Sequence, residues 1–363
     1  MRSDFRSEVL LASAGLDNTV CTWSLPSVTR SRSFPCSKGS VGSVGFSTDG
    51  RYLSVGCYSQ IYVFDRESSP GNVFPAYSIH EDCHSSAINT IGHFSSRRSM
   101  IYTAGDDGSA RIWDLAERKL SQKVQVPSRV YHCIPLSPDR CLSSLLLATG
   151  EGIVHWDIQA NATTTTDPLP STPSIIPGLP PVKSPYFTKL SLCYELLTLV
   201  AGLSDGRVVL YKLPETSSFT NQWKGPFIFD TKCRFVSTVT LASFPAFTGK
   251  SNSSAVLSIG GLHGEVAIYN LSISSDIDSP KLFSMDLVYF TPSPHCYSIL
   301  DSLCTFDGEH VFTADTSGKV CWYKCFDEEG LFSPSLLNQS IRHSDQEPHM
   351  ALTCLSMTDV YRR

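Results

Sequence analysis

The sequence predicts an all-β protein, and a sevenfold repeat is the main reason. In each copy a short apolar run meets a tight turn of Gly, Asp, Asn or Ser, and a second run then ends in an aromatic residue. The closing aromatic residues recur at intervals of roughly 41 to 58 residues, close to the period of a four-stranded propeller blade. They are Trp23, Phe64, Trp113, Trp156, Tyr211, Tyr269 and Tyr323. We therefore expect one domain over 1–363, a seven-bladed β-propeller.

Each repeat alternates in the manner of a β-hairpin. In residues 110–115, Ile112 and Trp113 project to opposite faces, so both faces of a blade can be covered by its neighbours. A further strand-like segment precedes six of the hairpins and is expected to form the innermost strand of blades two to seven. These segments are 41–46, 87–91, 131–134, 187–192, 235–241 and 297–300.

The first hairpin, residues 9–25, has no inner strand of its own before it. The chain ends with an otherwise unpaired strand-like segment, residues 351–357. We infer that this segment supplies the innermost strand of blade one, because closure of the ring leaves no open sheet edge at the seam. The predicted fold is thus a propeller closed by its carboxyl-terminal strand.

Composition excludes several classes of partner. The formal net charge is −5 and 17% of residues are charged, which provides no basic surface for nucleic acid or anionic lipid. No apolar run approaches the roughly 18 residues that a membrane span needs. We expect no nucleic-acid partner and no membrane insertion.

The amino-terminal sequence predicts a cytoplasmic protein. Residues 1–8 lead into a predicted strand without the apolar core of a secretory signal. The 13 cysteines show no paired C-x-x-C spacing, so reduced thiols are favoured over disulfides. The sequon at Asn161 is accordingly expected to carry no glycan.

A Pro/Thr-rich insert is predicted at about 160–185, between blades four and five. Proline donates no ladder hydrogen bond and favours an extended chain, so the segment is interpreted mainly as a linker. The stretches 170–173 and 177–180 also fit a polyproline ligand, and the threonines 163–166 could accept phosphate.

The sequence contains no catalytic motif such as a Walker loop, a G-x-S-x-G elbow or H-E-x-x-H. His132 and Cys133 are neighbours on a strand and point to opposite faces, so they cannot act as a nucleophile pair. Cys321 and Cys325 are too far apart along a strand to share a metal. The segment 80–84 groups possible ligands, but His84 is expected to hydrogen-bond within blade three. We expect no enzyme activity, no cofactor, no metal and no small-molecule substrate.

Five aspartates at the hairpins are interpreted as structural. Asp17 and Asp107 stand in a turn six residues before the closing tryptophan, where a carboxylate suits backbone capping and a bond to a buried histidine or serine. Asp65, Asp114 and Asp157 each follow a closing aromatic residue and are expected to form turns.

The phrases at 11–20, 111–115 and 154–158 resemble WD-repeat hairpins. Their order resembles one family more closely, the small WD-repeat subunits of target-of-rapamycin kinase complexes, known as lethal with Sec thirteen, protein eight. Residues 11–23, 54–65 and 99–115 resemble that family's first three blades, and residues 351–359 resemble its last strand. The likeness is good from about 9 to 158 and thinner afterwards, where tyrosine replaces the expected tryptophan.

The resemblance implies a non-catalytic subunit that binds and stabilises a large phosphatidylinositol-kinase-like protein kinase, the target of rapamycin, within its complex. It also implies that the cytoplasmic protein could reach endomembranes through that complex. Side chains at hairpin tips cannot pack between blades, so the candidate contact residues on one rim are Leu16, Tyr58, Asp106 and Leu203.

Other classes stay open from the sequence. A propeller hydrolase or lyase would need polar groups that converge at the central channel, whereas the inner strands offer mainly Val, Ile, Thr, Ser and Leu. A substrate-recognition subunit of a ubiquitin ligase, a vesicle-coat scaffold or a nuclear-pore scaffold would share the propeller fold.

Overall fold

The computed structural model describes residues 8–25, 27, 29–36, 39–69, 72–94, 99–136, 144–160, 162–168, 185–214, 223–243, 253–276, 279–292, 297–305, 307–327, 329–343 and 352–360. These residues form seven four-stranded sheets, which are the blades of a β-propeller, and the predicted fold class is confirmed. Within the described ranges, no helix is long and apolar enough to cross a membrane.

The chain divides into two compact units. Unit 1 comprises residues 1–150, 154–165 and 343–363, and it holds blades one to three and most of blade four. Unit 2 comprises residues 151–153 and 166–342 and holds blades five to seven.

Strands are numbered in chain order. Blade one has the order β28-β1-β2-β3, from β28 (Leu352–Val360), β1 (Glu8–Gly15), β2 (Thr19–Leu25) and β3 (Thr29–Pro35). Blade two is formed by β4 (Val41–Phe46), β5 (Tyr52–Cys57), β6 (Gln60–Asp65) and β7 (Tyr77–Ile79). Blade three is formed by β8 (Ile88–His93), β9 (Met100–Gly105), β10 (Ser109–Asp114) and β11 (Lys119–Gln125). Blade four is formed by β12 (Val130–Pro135), β13 (Ser144–Thr149), β14 (Gly152–Asp157) and β15 (Ala162–Pro168).

The blades of unit 2 follow the same order from first to last strand. Blade five is formed by β16 (Phe187–Cys193), β17 (Thr198–Leu203), β18 (Arg207–Lys212) and β19 (Lys224–Asp230). Blade six is formed by β20 (Val236–Ser243), β21 (Ser253–Gly261), β22 (Val266–Ile273) and β23 (Phe283–Thr291). Blade seven is formed by β24 (Ile299–Cys304), β25 (His310–Asp315), β26 (Lys319–Phe326) and β27 (Phe332–Arg342).

The carboxyl-terminal strand occupies the innermost position of blade one, as the sequence predicts. β28 pairs antiparallel with β1, with Ser13 opposite Leu355. Its Thr353 hydroxyl donates to the Ala14 carbonyl oxygen over 3.0 Å, and the Phe46 amide of β4 donates to the Ser356 hydroxyl over 3.3 Å. β28 therefore joins blade one to blade two in the manner of an ordinary inner strand.

Side chains of the third strand of a blade alternate between its two faces, and both faces are covered by neighbouring blades. Trp113 packs on one face of β10 with Ile61 of blade two, whereas Ile112 on the other face packs with Leu147 and Trp156 of blade four. Burial of large side chains on both faces is the main stabilising contribution to a propeller, since each blade is too thin to have a core of its own.

In unit 2, tyrosine takes the position between blades that tryptophan or phenylalanine holds in unit 1. Tyr269 packs with Val200 and Leu210 of blade five, and Tyr323 packs with Ile268 of blade six. The pattern of the repeat is therefore kept although the closing aromatic residue changes.

The prediction of an insert that begins at about residue 160 is wrong at its first residues, because 162–168 form β15, the outer strand of blade four. Threonine is branched at Cβ and favours extended backbone, which explains why this run forms a strand. The segments 170–173 and 177–180 lie outside the described residues.

Candidate protein-binding rim

A hydrogen-bonded chain of four side chains holds the hairpin of blade three. Trp113 Nε1 donates to Thr103 Oγ1 over 2.9 Å, and Thr103 Oγ1 lies 2.8 Å from Nε2 of His84. His84 Nδ1 lies 3.0 Å from an oxygen of Asp107, which also accepts from the Ser109 amide. The network fits a neutral imidazole that accepts from threonine and donates to the carboxylate.

Ionisation in this chain follows from burial and hydrogen bonding. Burial lowers the pKa of His84 and outweighs its bond to Asp107, which favours the neutral ring. Burial opposes ionisation of Asp107, yet hydrogen bonds from His84 and Ser109 hold the pKa of the carboxyl well below its usual range. The carboxylate is thus engaged in holding the turn.

Blade one has an equivalent chain, with a histidine from the other end of the sequence. Trp23 Nε1 donates to Ser13 Oγ over 2.8 Å, and Ser13 Oγ lies 2.8 Å from Nδ1 of His343. His343 Nε2 lies 3.2 Å from Asp17 Oδ1, and Asp17 also accepts from the Thr19 amide. His343 directly follows β27, so it ties the last segment of the chain to the first hairpin.

His343 differs from His84 in the direction of its pKa shift. Burial opposes protonation of His343, but its hydrogen bonds to Asp17 and Cys21 prevail and raise its pKa to about 9. The neighbouring Asp17 carboxylate therefore favours the protonated form of the ring. Sequence analysis missed this residue, because nothing in the local sequence of residue 343 indicates a partner 326 positions away.

The remaining structural residues lie where the repeat places them. Phe64, Trp156, Tyr211, Tyr269 and Tyr323 are buried. At the opposite ends of the strands, carboxylates cap turns: Asp65 accepts from the Glu67 amide over 3.0 Å, Asp114 from the Ala116 amide over 2.8 Å and Asp157 from the Gln159 amide over 2.9 Å.

The turn between β5 and β6 presents Tyr58 in a fixed position. Its backbone φ is +51°, in the left-handed region, and two neighbouring segments hold it. The Tyr58 amide donates to the Ser40 carbonyl over 3.0 Å, and the Tyr58 carbonyl accepts from the Ile88 amide over 2.7 Å. Because its side chain stays 53% exposed, Tyr58 is a rigidly mounted aromatic group at the surface.

Leu16 and Asp106 lie in the corresponding turns of blades one and three. Leu16 is exposed beside Asn18, whose carbonyl accepts from the Cys36 amide over 2.7 Å. Asp106 is only partly exposed, because its carboxylate accepts from Asn89 Nδ2 over 2.8 Å. We call the turns at Leu16, Tyr58 and Asp106 the unit 1 rim.

Leu203 is wrong as a surface contact residue. Its side chain is fully buried, because Leu203 is the last residue of β17 and pairs with Phe187 rather than standing in the turn. The turn begins one residue later, and there Asp205 is itself buried and accepts from Arg207.

The other candidate groups have ordinary structural surroundings. Cys133 is fully buried, and burial raises the pKa of its thiol above the usual range. Cys321 and Cys325 are buried in one apolar cluster. His80 hydrogen-bonds to Ser78 over 2.7 Å. Among the residues that the structure describes, no group of three His, Cys, Asp or Glu side chains is placed to hold a metal.

Comparison with known proteins defines the class first. Residues 29–65 and 77–114 match the family model described as WD domain, G-beta repeat. The protein is therefore a β-propeller that contains WD40 repeats. The solved β-propeller domain of Cps50 (Swd1) from Myceliophteria thermophila superposes with a TM-score of 0.60 at 15% identity over 84% of this chain and 90% of that one, a likeness of fold alone.

Particular relatives are consistent with the resemblance noted in the sequence. Mouse target of rapamycin complex subunit LST8 is 30% identical over 155 residues, which are 42% of this chain and 45% of the relative. Rice small ribosomal subunit protein RACK1z is 29% identical over 132 residues, 36% of each chain. The chain thus spans less than half the length of the curated relatives it matches. The predicted resemblance to an LST8-like WD protein is confirmed.

Proposed function

We propose that this protein is a non-catalytic subunit of a target-of-rapamycin kinase complex, and that its unit 1 rim binds the kinase. The observation that carries the proposal is the rigidly held, exposed Tyr58. The resemblance to the LST8 subunits supplies the class of partner. We further propose that the complex works in the cytoplasm.

The mounting of Tyr58 suits a binding anchor. A side chain whose backbone is already bonded on both sides loses little conformational freedom when a partner covers it. Tyrosine adds a large apolar ring and a hydroxyl that can hydrogen-bond, and it is enriched among the residues that dominate binding energy. Leu16 would extend the apolar contact in the neighbouring turn.

A scaffold role also fits the chemistry of the polar groups. The carboxylates of Asp17 and Asp107 and the imidazoles of His343 and His84 are engaged with partners that hold turns, as in the bond of 3.0 Å between His84 and Asp107. Such groups stabilise a rigid surface. This protein would therefore take no part in the kinase reaction, which belongs wholly to the partner.

Co-purification from the protein's own cells tests the proposal. We expect the tagged wild-type chain to recover a very large kinase, and Tyr58→Ala to reduce recovery roughly tenfold or more, because a central aromatic anchor contributes about 2 kcal/mol. Both variant and wild type should melt at nearly the same temperature, since the ring is exposed.

Phe74→Ala is the matched control. Phe74 is 75% exposed in the same blade, in the connection that follows the other end of β6, so it lies away from the turn at Tyr58. We expect normal kinase recovery with this variant. Equal recovery by Tyr58→Ala and wild type would exclude the rim as the contact, and a wild-type chain that recovers no such kinase would exclude the function.

A further inference from the structure

Strand β23 forms the outer edge of blade six. The sheet order is β20-β21-β22-β23, and no described strand lies beyond β23. β22 pairs with one edge of β23, and the pairing runs from Phe283 opposite Ile273 to Thr291 opposite Val266. The other side presents a row of backbone N–H and C=O groups, with which a further extended chain can pair.

The side chains of β23 divide into a packed set and an exposed set. Met285 packs against the core of unit 2, and Tyr289 packs edge-on against Tyr323. Leu287, Val288 and Phe290 are exposed. A register shift between Ile268 and Tyr269 leaves Val288 without an opposite residue on β22, so two successive apolar side chains reach the surface.

Two outer strands of unit 1 are protected against pairing in ways that β23 is not. In unit 1, β7 has only three residues, and β11 exposes Lys119 and Lys123. Short edges and lysines are the usual means by which proteins prevent edge pairing. β23 has neither, since it is nine residues long and carries one charged side chain, Asp286.

We propose that β23 pairs antiparallel with β23 of a second copy of this chain. In a twofold interface the same surface of both copies must fit itself. The edge of β23 meets this requirement, because each copy offers an extended backbone with apolar side chains to the other. The proposed register is centred on Val288 and sets Asp286 opposite Phe290, so the two carboxylates stay apart and no like charges face each other.

The expected association is weak and local. Two nine-residue strands bury less surface than a standard stable interface, so dissociation constants in the micromolar range are expected. Sedimentation equilibrium of the purified full chain should show the mass rise from one chain to two by about 100 µM. Hydrogen exchange of amides 283–291 should slow over the same concentration range, which locates the contact.

Val288→Lys tests the edge directly, because in the register centred on Val288 the substitution sets two ammonium groups opposite each other. We expect it to weaken dimerisation at least tenfold while the thermal midpoint of dilute protein stays unchanged. Ile228→Lys is the matched control, since Ile228 lies on the outer strand of blade five and is 40% exposed against 42% for Val288.

A wild-type chain that stays monomeric overturns the proposal and leaves an extended segment of another protein as the occupant of the edge. A dimer that Val288→Lys leaves intact, or that Ile228→Lys weakens equally, also overturns it. A tenfold loss in the first variant alone, with concentration-dependent protection of 283–291, supports it.

Discussion

Trp113 combines packing with a hydrogen bond at the centre of blade three. Its side chain is fully buried and its indole N–H donates to Thr103 over 2.9 Å. We expect Trp113→Ala to lower the free energy of unfolding by about 3–5 kcal/mol, the usual loss for a large buried aromatic residue. Urea titration measures it, and a change below about 1 kcal/mol would contradict the buried position.

Trp113→Phe separates the two contributions. Phe64 holds the corresponding position of blade two and is fully buried without an indole donor, so phenylalanine fits this architecture. We expect the variant to retain most of the packing and to lose about 1–3 kcal/mol, mainly because Thr103 Oγ1 loses its indole donor. A loss as large as that of the alanine variant would mean that the hydrogen bond dominates.

His343 predicts a pH dependence on the alkaline side. Its folded pKa of about 9 lies above the usual 6.5, so its contribution is fully present below about pH 6.5 and is lost as the pH rises through about 9. We expect the stability difference between wild type and His343→Gln to shrink by on the order of 2 kcal/mol across that window. Urea titrations of both proteins from pH 6 to 9.5 measure it.

His84→Gln is the control with the opposite sign. Burial lowers the pKa of His84, so its contribution is present above its usual pKa and is lost as the pH falls towards the folded value. Its stability difference from wild type should therefore be constant between pH 7 and 9. A parallel alkaline loss in both variants would show that the effect does not come from the Asp17 bond.

In the hydrogen-bonded networks of blades one and three, the sequence predicts a residue only where its pattern is local. The offset of six residues between Asp17 and Trp23, repeated at Asp107 and Trp113, indicated a turn carboxylate with a buried partner. His84 lies close in the sequence to the strands of blade three, so a hydrogen bond within that blade could be predicted. His343 could not be named, because its partner Asp17 lies 326 positions away in the sequence.

At the scale of elements, the closing strand β28 is the segment on which blade one depends. Deletion of residues 352–363 removes the inner strand that pairs with β1 and buries Cys354 and Leu355. We expect the free energy of unfolding to fall by at least about 4 kcal/mol, since two buried side chains and a strand ladder are lost. Chemical denaturation measures this loss.

A synthetic peptide of residues 352–360 provides the control for that deletion. Added to the truncated chain, it should bind β1 and restore the thermal midpoint in a concentration-dependent way. A truncated chain with the wild-type midpoint, or one that the peptide leaves unchanged, would contradict the assignment of β28 as a required clasp.

Inner and hairpin strands could be predicted, whereas outer strands could not. The hairpin strands bury both faces and therefore appear as apolar runs, as in β9 and β10. The outer strand β3 alternates Thr, Arg and Ser with little burial, and its pattern does not differ from that of a loop. The same lack of an apolar run in β15 makes this strand resemble the start of an insert.

Leu203 shows how a shift of one residue changes a surface prediction. In strands, successive side chains alternate between faces, and only the turn itself leaves the packed blade. Tyr58 and Leu16 lie within their turns, but Leu203 ends its strand. Asp106 stands seven residues before Trp113, whereas Leu203 stands eight before Tyr211, and the first residue of that turn is Ser204.

At the scale of the whole molecule, the net charge of this chain bears on the choice between a kinase complex and the ribosome as its partner. The chain has 29 Lys and Arg against 34 Asp and Glu. Binding to RNA depends largely on cations that neutralise phosphates, and a chain with a net negative charge gains little from that electrostatic contribution. A relative named as a ribosomal protein therefore does not make ribosome association the favoured function for this chain.

We predict that this protein does not sediment with ribosomal subunits in a low-salt sucrose gradient, the condition in which electrostatic binding to RNA is strongest. The ribosomal relative from rice serves as the positive control in the same gradient. Under the proposed function, the chain should instead migrate with a large kinase, and Tyr58→Ala should shift it to the fractions of free protein. Migration of the wild-type chain with the small ribosomal subunit, unaffected by Tyr58→Ala, would overturn the kinase assignment in favour of a ribosomal one.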